Sequence, residues 1–567
     1  MSRRRAKKTG NRRAYQLLLA TAAILASCFG FIAWISPAFS FHSPLAQRPI
    51  ITVITLFAVA QAAYLVAVAT AVRLSSSPSL IAWIFGASFL FRMILWPSTP
   101  IQEIDIYRYL WDGAVLAEGI SPFRYAPDEI KLAAASQVSD PGLHKLIKLR
   151  EDDQPLGEIL NRIHYGQLPT VYPPVSQVIF AVGALVVPKG ASLTARMSVM
   201  KLGFLAFDFG TLWLLVQLLR HLALPVGWSV AYGWCPLVMK EFANSGHLDA
   251  IAVFFTTLGI SLIVRQVGSV KIWKSVYAAA AIAAGIGAKL YPVVLVPLLT
   301  VWLIKQNGIF RALTFALATA LLSALFLAPM FAAGTSTPAS VEPKLPQAAA
   351  LAARQTDSAE GLRTFLTHWE MNDFFFLFLI ENIKPLEQVQ AMGKEAWFSF
   401  VPDRYRQLAV GYVASEYGLE PRVVPFWIAR GITLTASAGV ALLLAIFAWQ
   451  ANKTAAWLEA AFLTIAWFWL LSPTLNPWYW TWALPLVMFG RSRVWMWMSG
   501  LVLLYYLRFW LEYQWPDQSV LGTPYVGVQF FDFIVTWIEF FPWLIALLST
   551  WWLARRRTGS EPAVLSS

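Results

Sequence analysis

IQEIDIYRYLWDGAVLAEGISPFRYAPD (residues 101–128) carries five acids (Glu103, Asp105, Asp112, Glu118 and Asp128), two arginines and five aromatic rings. It follows an apolar stretch, residues 79–96, that is long enough to cross a bilayer and is interrupted only by Arg92. Carboxylates at the mouth of a membrane span are costly to desolvate, and they commonly serve ions, protons or substrates there. Clustered ionisable groups also serve structure: the same acids suit helix caps and partners for Arg108 and Arg124. Both readings stand.

Composition settles the membrane setting. The chain has 567 residues, 58% hydrophobic and 13% charged, with a mean hydropathy of +0.57. Soluble globular chains carry roughly 25% charged residues. The 27 tryptophans and 18 tyrosines suit interfacial belts, sugar stacking or the cover of a lipid tail. The net charge of +13 is no nucleic-acid signature, because much of the excess sits in basic tails, MSRRRAKKTGNRR (1–13) and ARRRTG (554–559). No small-residue cleavage site follows the first apolar run, which reads as a retained anchor. Cys28 and Cys235 both fall in apolar runs, and the polar loops contain no cysteine, so neither a disulfide framework nor a thiolate metal site is expected there.

Charge then orders the spans. With the basic N-terminus inside, apolar runs at 14–34, 50–72 and 79–96 put the acidic segment outside. The run TVYPPVSQVIFAVGALVVP (170–188) decides everything after it. If it crosses, the basic groups at Arg220, Arg265, Lys305 and Arg491–Arg493 all face out; if it does not, all face in. It is therefore expected to be a half-inserted or surface-lying helix started by Pro173 and Pro174. Further spans are expected at 197–219, 226–242, 249–264, 273–288, 291–304, 310–330, 425–449, 455–471, 477–488, 494–510 and 528–553, about fourteen in all. The expected fold is an all-α polytopic membrane bundle with both termini inside.

The chain thus divides into a basic tail (1–13), three spans (14–96), a large outer loop with juxtamembrane helices (97–196), spans (197–331), a second outer loop (332–424), C-terminal spans (425–553) and a cytoplasmic tail (554–567). The second loop opens on an Ala/Pro/Ser/Thr-rich stretch (334–361), read as mobile from its composition. It continues into HWEMNDFFFLFLIENI (368–383), whose apolar centre is too short to span and is expected to form an interfacial helix.

Polar chemistry gathers on the outer side: Asp105, Arg108, Asp112, Arg124, His247, Asp249, Lys289, Trp369, Asn372, Asp373, Arg404 and Arg508. The chain has neither a Walker loop nor a dinucleotide fingerprint. An outward-facing enzyme would need an activated substrate delivered in the membrane, and a lipid-linked phosphate fits, its tail between helices and its phosphate on Lys or Arg.

DIYRYLWDGAVLAEGISPFRYAPD, VYPPVSQVIF, NSGHLDAIAVFF, GAKLYPVVLVPLL, HWEMND and NPWYW, in this order, resemble the bacterial GT-C class of integral-membrane glycosyltransferases. The branch most similar is that of polyprenol-phosphate-mannose-dependent mannosyltransferases. The resemblance covers about residues 90–485; the two spans ahead of the acidic loop's own depart from the usual pattern. It implies a GT-C-like bundle in the cell membrane with its active site facing the periplasm or exterior. It also implies a polyprenyl-phosphate sugar donor, a lipid, glycan or protein acceptor, usually inverting transfer, and an outer-loop acid as general base, here Asp105.

Around that base the residues leave alternatives. Arg108 orients Asp105 or neutralises it. Asp112 is a second acid, a sugar-binding group or a cap. Lys289 holds the donor phosphate or snorkels. His247 and Asp249 bind phosphate, sugar or a divalent metal, or Asp249 caps a helix. Arg124 supports the acceptor side or pairs structurally. Trp369, Asn372 and Asp373 contact a sugar or anchor the loop, and Asn476, Trp478 and Tyr479 read as helix-start and belt residues. Rival functions are a transporter or flippase of lipid-linked glycans, a glycan polymerase or ligase with a diphosphate-linked donor, and a structural assembly protein. Clustering of the acids in outer loops and the absence of an inverted repeat weigh against transport.

Overall fold

The computed structural model describes residues 2–133, 138, 140–266, 271–332 and 358–559. Most of the Ala/Pro-rich stretch and the end of the 554–567 tail lie outside them. The described residues are helical, with two isolated bridges and no strand. Eight helical stretches are long and apolar enough to cross a membrane: Arg12–Phe39, Leu45–Ala71, Pro78–Leu95, Leu193–His221, Ile309–Phe331, Val424–Ala451, Arg493–Gln514 and Gly527–Leu553.

In chain order the helices that matter here begin with α1 (Ser2–Ile35), α2 (Ile50–Ala71) and α3 (Pro78–Leu95). Ser77 caps α3 by accepting from Leu80 N–H, and Pro78 occupies the first turn, where a missing donor costs nothing. The acidic segment forms α4 (Asp105–Ala117), and the double proline opens α5 (Pro174–Val186). At 13 residues, α5 reaches about 20 Å, short of the roughly 30 Å hydrocarbon core. It packs on α4, and the approach is so close that a Cβ on Gly113 would meet the Phe180 carbonyl oxygen at 2.4 Å. Only glycine fits there.

Then come α6 (Leu193–His221), α7 (Asp249–Arg265), α8 (Trp273–Ala288), α9 (Val296–Asn307) and α10 (Ile309–Ala332). After the second loop follow α11 (Val424–Ala451), α12 (Thr454–Leu470) and α13 (Thr536–Gly559). One contiguous core joins α1 to α10 with α12 and the C-terminal helices.

Two expected spans take another form, whereas the one at 494–510 falls within Arg493–Gln514. Residues 226–244 are a chain of short 3₁₀, α and π pieces, and 477–489 are likewise broken. Pro225, Pro236, Pro477 and Pro485 interrupt the helical ladder. Irregular backbone is tolerated at such depth where protein covers it, and Trp234, Leu237, Phe242 and Trp480 are all 0% exposed. Where an interfacial helix is expected, Met371 bridges Thr474, Asn372 turns the chain at φ +53°, and a short helix follows, Phe375–Glu381, with Phe376 and Ile380 packed on Phe426 and Ala429 of α11. Tryptophan usage divides: Trp111, Trp302, Trp457, Trp469 and Trp543 fill the core, whereas Trp34, Trp213 and Trp427 stay exposed as a belt requires.

Candidate functional site

Helix ends from distant parts of the chain converge around Asp105. This residue starts α4, where the helix dipole favours a carboxylate. Asp249 starts α7, and Lys289 caps the far end of α8 in extended conformation. Lys289 Nζ donates to Asp249 Oδ2 at 2.9 Å, while Trp482 Nε1 donates to Asp249 Oδ1 at 2.6 Å. Both Asp249 oxygens are thus engaged by protein, and its role is to hold Lys289 and Trp482.

An aromatic deck lies beneath the lysine. Nζ stands 4.4 Å from the Tyr479 ring centre, Tyr479 stacks on Trp482 at 4.4 Å, and Trp482 stacks on Tyr291 at 4.4 Å. Cation–π attraction steadies an ammonium so placed. Lys289 keeps 16% of its side chain exposed against 0% for Asp249, so it can reach an incoming group. Burial raises the Asp105 carboxyl above the usual range; Lys289 and the Tyr172 hydroxyl oppose the rise, and Asp249 adds to it.

Behind this site sits a buried charged knot. Tyr506 Oη donates to Glu241 Oε1 at 2.9 Å and lies 3.3 Å from Glu103 Oε1, and it accepts from Lys240 Nζ at 2.8 Å. His247 Nε2 approaches Glu241 at 3.3 Å and Glu103 at 3.7 Å, its ring stacked 4.3 Å from Trp478. Gly246, at φ +70°, makes the turn that presents His247. Burial, then the ammonium groups of Lys240 and Lys289, push the imidazole well below its ordinary range. Burial likewise lifts Glu103 well above the usual carboxylate range; Lys240 opposes this, and Glu241 and Asp105 reinforce it. Asn244 fastens the loop ahead of α4, accepting from Ile101 N–H at 3.0 Å and donating to Ser98 Oγ and Thr99 O at 2.8 Å each. Among the described residues no three His, Cys, Asp or Glu side chains are arranged to hold a metal ion.

Asp105, His247, Asp249 and Lys289 therefore come together. Asp112 and Arg108 do not join them: Arg108 Nε donates to Asp112 Oδ1 at 2.9 Å, and Gln177 donates to Asp112 Oδ2 at 3.2 Å. This pair ties α4 to α5, so Arg108 neutralises Asp112 rather than orienting Asp105. Arg124 pairs at 2.9 Å with Asp140, the cap of Pro141–Asp152. Trp369 packs on Tyr165 at 5.0 Å. Asn372 donates to Leu475 O at 3.1 Å and Glu539 at 3.3 Å, which anchors HWEMND beside NPWYW. Asp373 is buried; burial, with Glu370 and Asp532 nearby, lifts its carboxyl well above the usual range. Arg404 is exposed against Tyr405, and Arg508 faces Asp532 at 3.6 Å.

Lys240, Glu241 and Tyr506 were missed by sequence reasoning, as was Trp482. A signal existed: adjacent charges inside the apolar run 226–242 are expensive unless paired. Neither a family model nor a curated protein matches the chain.

Proposed function

We propose that this multi-pass membrane protein is a glycosyltransferase of GT-C type. It moves a hexose such as mannose from a polyprenyl-phosphate donor to a lipid, glycan or protein acceptor at the outer face of the cell membrane. One observation carries the reading: Asp105, only partly buried at the start of α4, feels the charge of Lys289, which keeps 16% of its side chain exposed at the end of α8 over the Tyr479 ring. The ionised Asp105 takes the acceptor hydroxyl's proton as its oxygen bonds to the anomeric carbon. The bond from that carbon to the phosphate oxygen breaks with inversion, and the polyprenyl phosphate leaves with its negative charge held by Lys289. His247, stacked on Trp478, stiffens the wall behind the base.

The test is turnover of polyprenyl-phosphate mannose by purified protein in liposomes, read as sugar transfer and as donor affinity. Lys289→Ala is expected to weaken donor binding by roughly 1.5–3 kcal/mol, the range for a charge-assisted hydrogen bond. Lys289→Arg should keep part of it, since charge persists while shape changes. Unaltered donor affinity in a folded Lys289→Ala protein would leave the lysine only its pairing with Asp249.

The outer placement rests on α5 not crossing. Cysteines introduced at Lys189, whose side chain is 88% exposed, and at exposed His221 should then react from opposite faces, Lys189→Cys from outside. The native Cys28 and Cys235 are buried and contribute little background. Labelling of Lys189→Cys from the cytoplasmic side alone would overturn the topology.

A further inference from the structure

The helix Asp403–Tyr417, near the end of the second outer loop, is built inside out. A helix between protein and water turns its apolar stripe inward and its charges outward. Here the buried charge is Arg406, 4% exposed. Its Nη2 binds Glu395 Oε1 at 2.8 Å, Nε donates to Val401 O at 2.6 Å, and Nη1 donates to Lys384 O at 3.3 Å. Tyr405, Leu408 and Tyr412, at i, i+3 and i+7 on the opposite face, stay exposed, the last two at 68% each. Phe400 and Trp397, just ahead of the helix, are exposed as well.

Single exposed apolar residues are ordinary, but five large ones on one short segment mark a contact surface. What covers it follows from where it lies. Residues 418–423 alone separate the helix from α11, the two helices touch, and Gly418 at φ +61° closes the first of them. α11 continues with exposed Trp427, Ile432 and Leu434, the lipid-facing side of a spanning helix. Trp397 Nε1 donates to Phe533 O at 2.6 Å, and its ring lies 5.0 Å from Trp537 at the start of α13. The segment therefore sits at the entrances of two membrane-crossing stretches, Val424–Ala451 and Gly527–Leu553. Exposed Arg404 and Arg422 are matched by exposed Glu416 and Glu420, so the contact rests on apolar burial and not on net charge.

We infer that Asp403–Tyr417 lies flat on the bilayer, with Tyr405, Leu408 and Tyr412 in the headgroup–acyl boundary of the leaflet where α11 begins. Tyrosine suits that boundary, since its ring is apolar and its hydroxyl stays wet. Asn382 carries the docking inward to the end of the helix Phe375–Glu381, its Oδ1 accepting from Phe400 N–H at 2.9 Å and Val401 N–H at 3.2 Å. This part of the second outer loop is thereby seated on the membrane at a fixed depth instead of projecting from it.

The experiment places a nitroxide on Leu408→Cys or Tyr412→Cys of the full chain in phosphatidylcholine vesicles. Depth is read from relaxation by oxygen, which favours lipid, against a nickel chelate, which favours water. Lys189→Cys, at a side chain 88% exposed, and Leu434→Cys on α11 are the water and lipid references, and the native Cys28 and Cys235 are buried. Both test sites lie on an open face, so neither substitution empties a packed one, and gel filtration verifies the fold. The Leu408→Cys and Tyr412→Cys labels should lie about 5–10 Å into the headgroup–acyl boundary, shallower than Leu434→Cys, and stay there in high salt. Nickel access equal to that of Lys189→Cys overturns the proposal, because the face then meets water. Low access of both relaxants, with broadening that dilution by unlabelled protein relieves, overturns it in favour of a second copy of the chain. Docking that appears only with added phosphatidylglycerol and is lost in high salt overturns the apolar contact.

Discussion

Asp105→Asn is expected to lower single-turnover sugar transfer about 10²–10⁴-fold, the usual contribution of a positioned acid–base group. That corresponds to roughly 3–5.5 kcal/mol on the barrier. Asparagine preserves size, yet it cannot accept a proton. Donor affinity should persist, because Lys289 is held by Asp249 rather than by Asp105. Two neighbouring acids serve as internal controls. Asp112 is enclosed by Arg108 and Gln177, so Asp112→Asn should cost stability and leave transfer per folded molecule near normal. Asp249→Asn should loosen Lys289 and Trp482, lowering donor affinity more than the chemical step. Collapse of transfer in the Asp249 variant, with Asp105→Asn near normal, would move the base to Asp249. Because burial raises the Asp105 carboxyl, activity should fall as pH drops through a value above the ordinary aspartate range. Below that point the base is protonated and idle.

How much of this was legible can be argued residue by residue. Long apolar windows gave α2, α6, α10 and α11 to within about four residues at each end, since burial of a 20-residue run in lipid permits little but helix. The same reasoning overran at residues 226–244 and 477–489. There the apolar run is lined by protein, and a composition window cannot tell the two surroundings apart. Within the site, Asp105, Asp249 and Lys289 stood out because each is a charge at the end of an apolar run. Asp112 stood out equally, and its partners are Arg108 and Gln177. Seven residues after Asp105 it shares a helix face only approximately, and Arg108, one turn earlier, claims it. The pairing of Glu103 with Lys240, Glu241 and Tyr506 joins segments more than a hundred residues apart. No local pattern announces such a pairing, although the bare charges of Lys240 and Glu241 within an apolar run did require partners somewhere.

The second large effect concerns Arg92, the charge that interrupts the span ahead of α4. Arg92→Met is expected to destabilise the protein by about 3–5 kcal/mol, the cost of stranding a buried charge. Arg92 Nε and Nη2 bind both oxygens of Asp208 on α6, at 2.5 and 3.0 Å. Nη1 donates to the carbonyls of Ser88 at 3.0 Å and Gly233 at 2.9 Å, and Tyr232 Oη donates to Asp208 at 2.7 Å. Both side chains are 0% exposed. Every strong donor and acceptor in the pair is occupied, which makes it a fastener between α3, α6 and the broken segment at residues 226–244. That segment leads directly to Lys240, Glu241 and His247, so the fastener also fixes the depth of the wall behind Asp105. Removing the arginine leaves the Asp208 carboxylate with Tyr232 alone in a medium that cannot solvate it. The double variant Arg92→Met/Asp208→Leu should recover most of the loss, because it strands no charge and keeps similar volume. Thermal or denaturant unfolding in detergent measures both. A single variant costing under about 1 kcal/mol would show that water reaches the pair, against its complete burial. Recovery of stability without recovery of transfer in the double variant would separate the fastener's second task, holding the wall of the site, from its first.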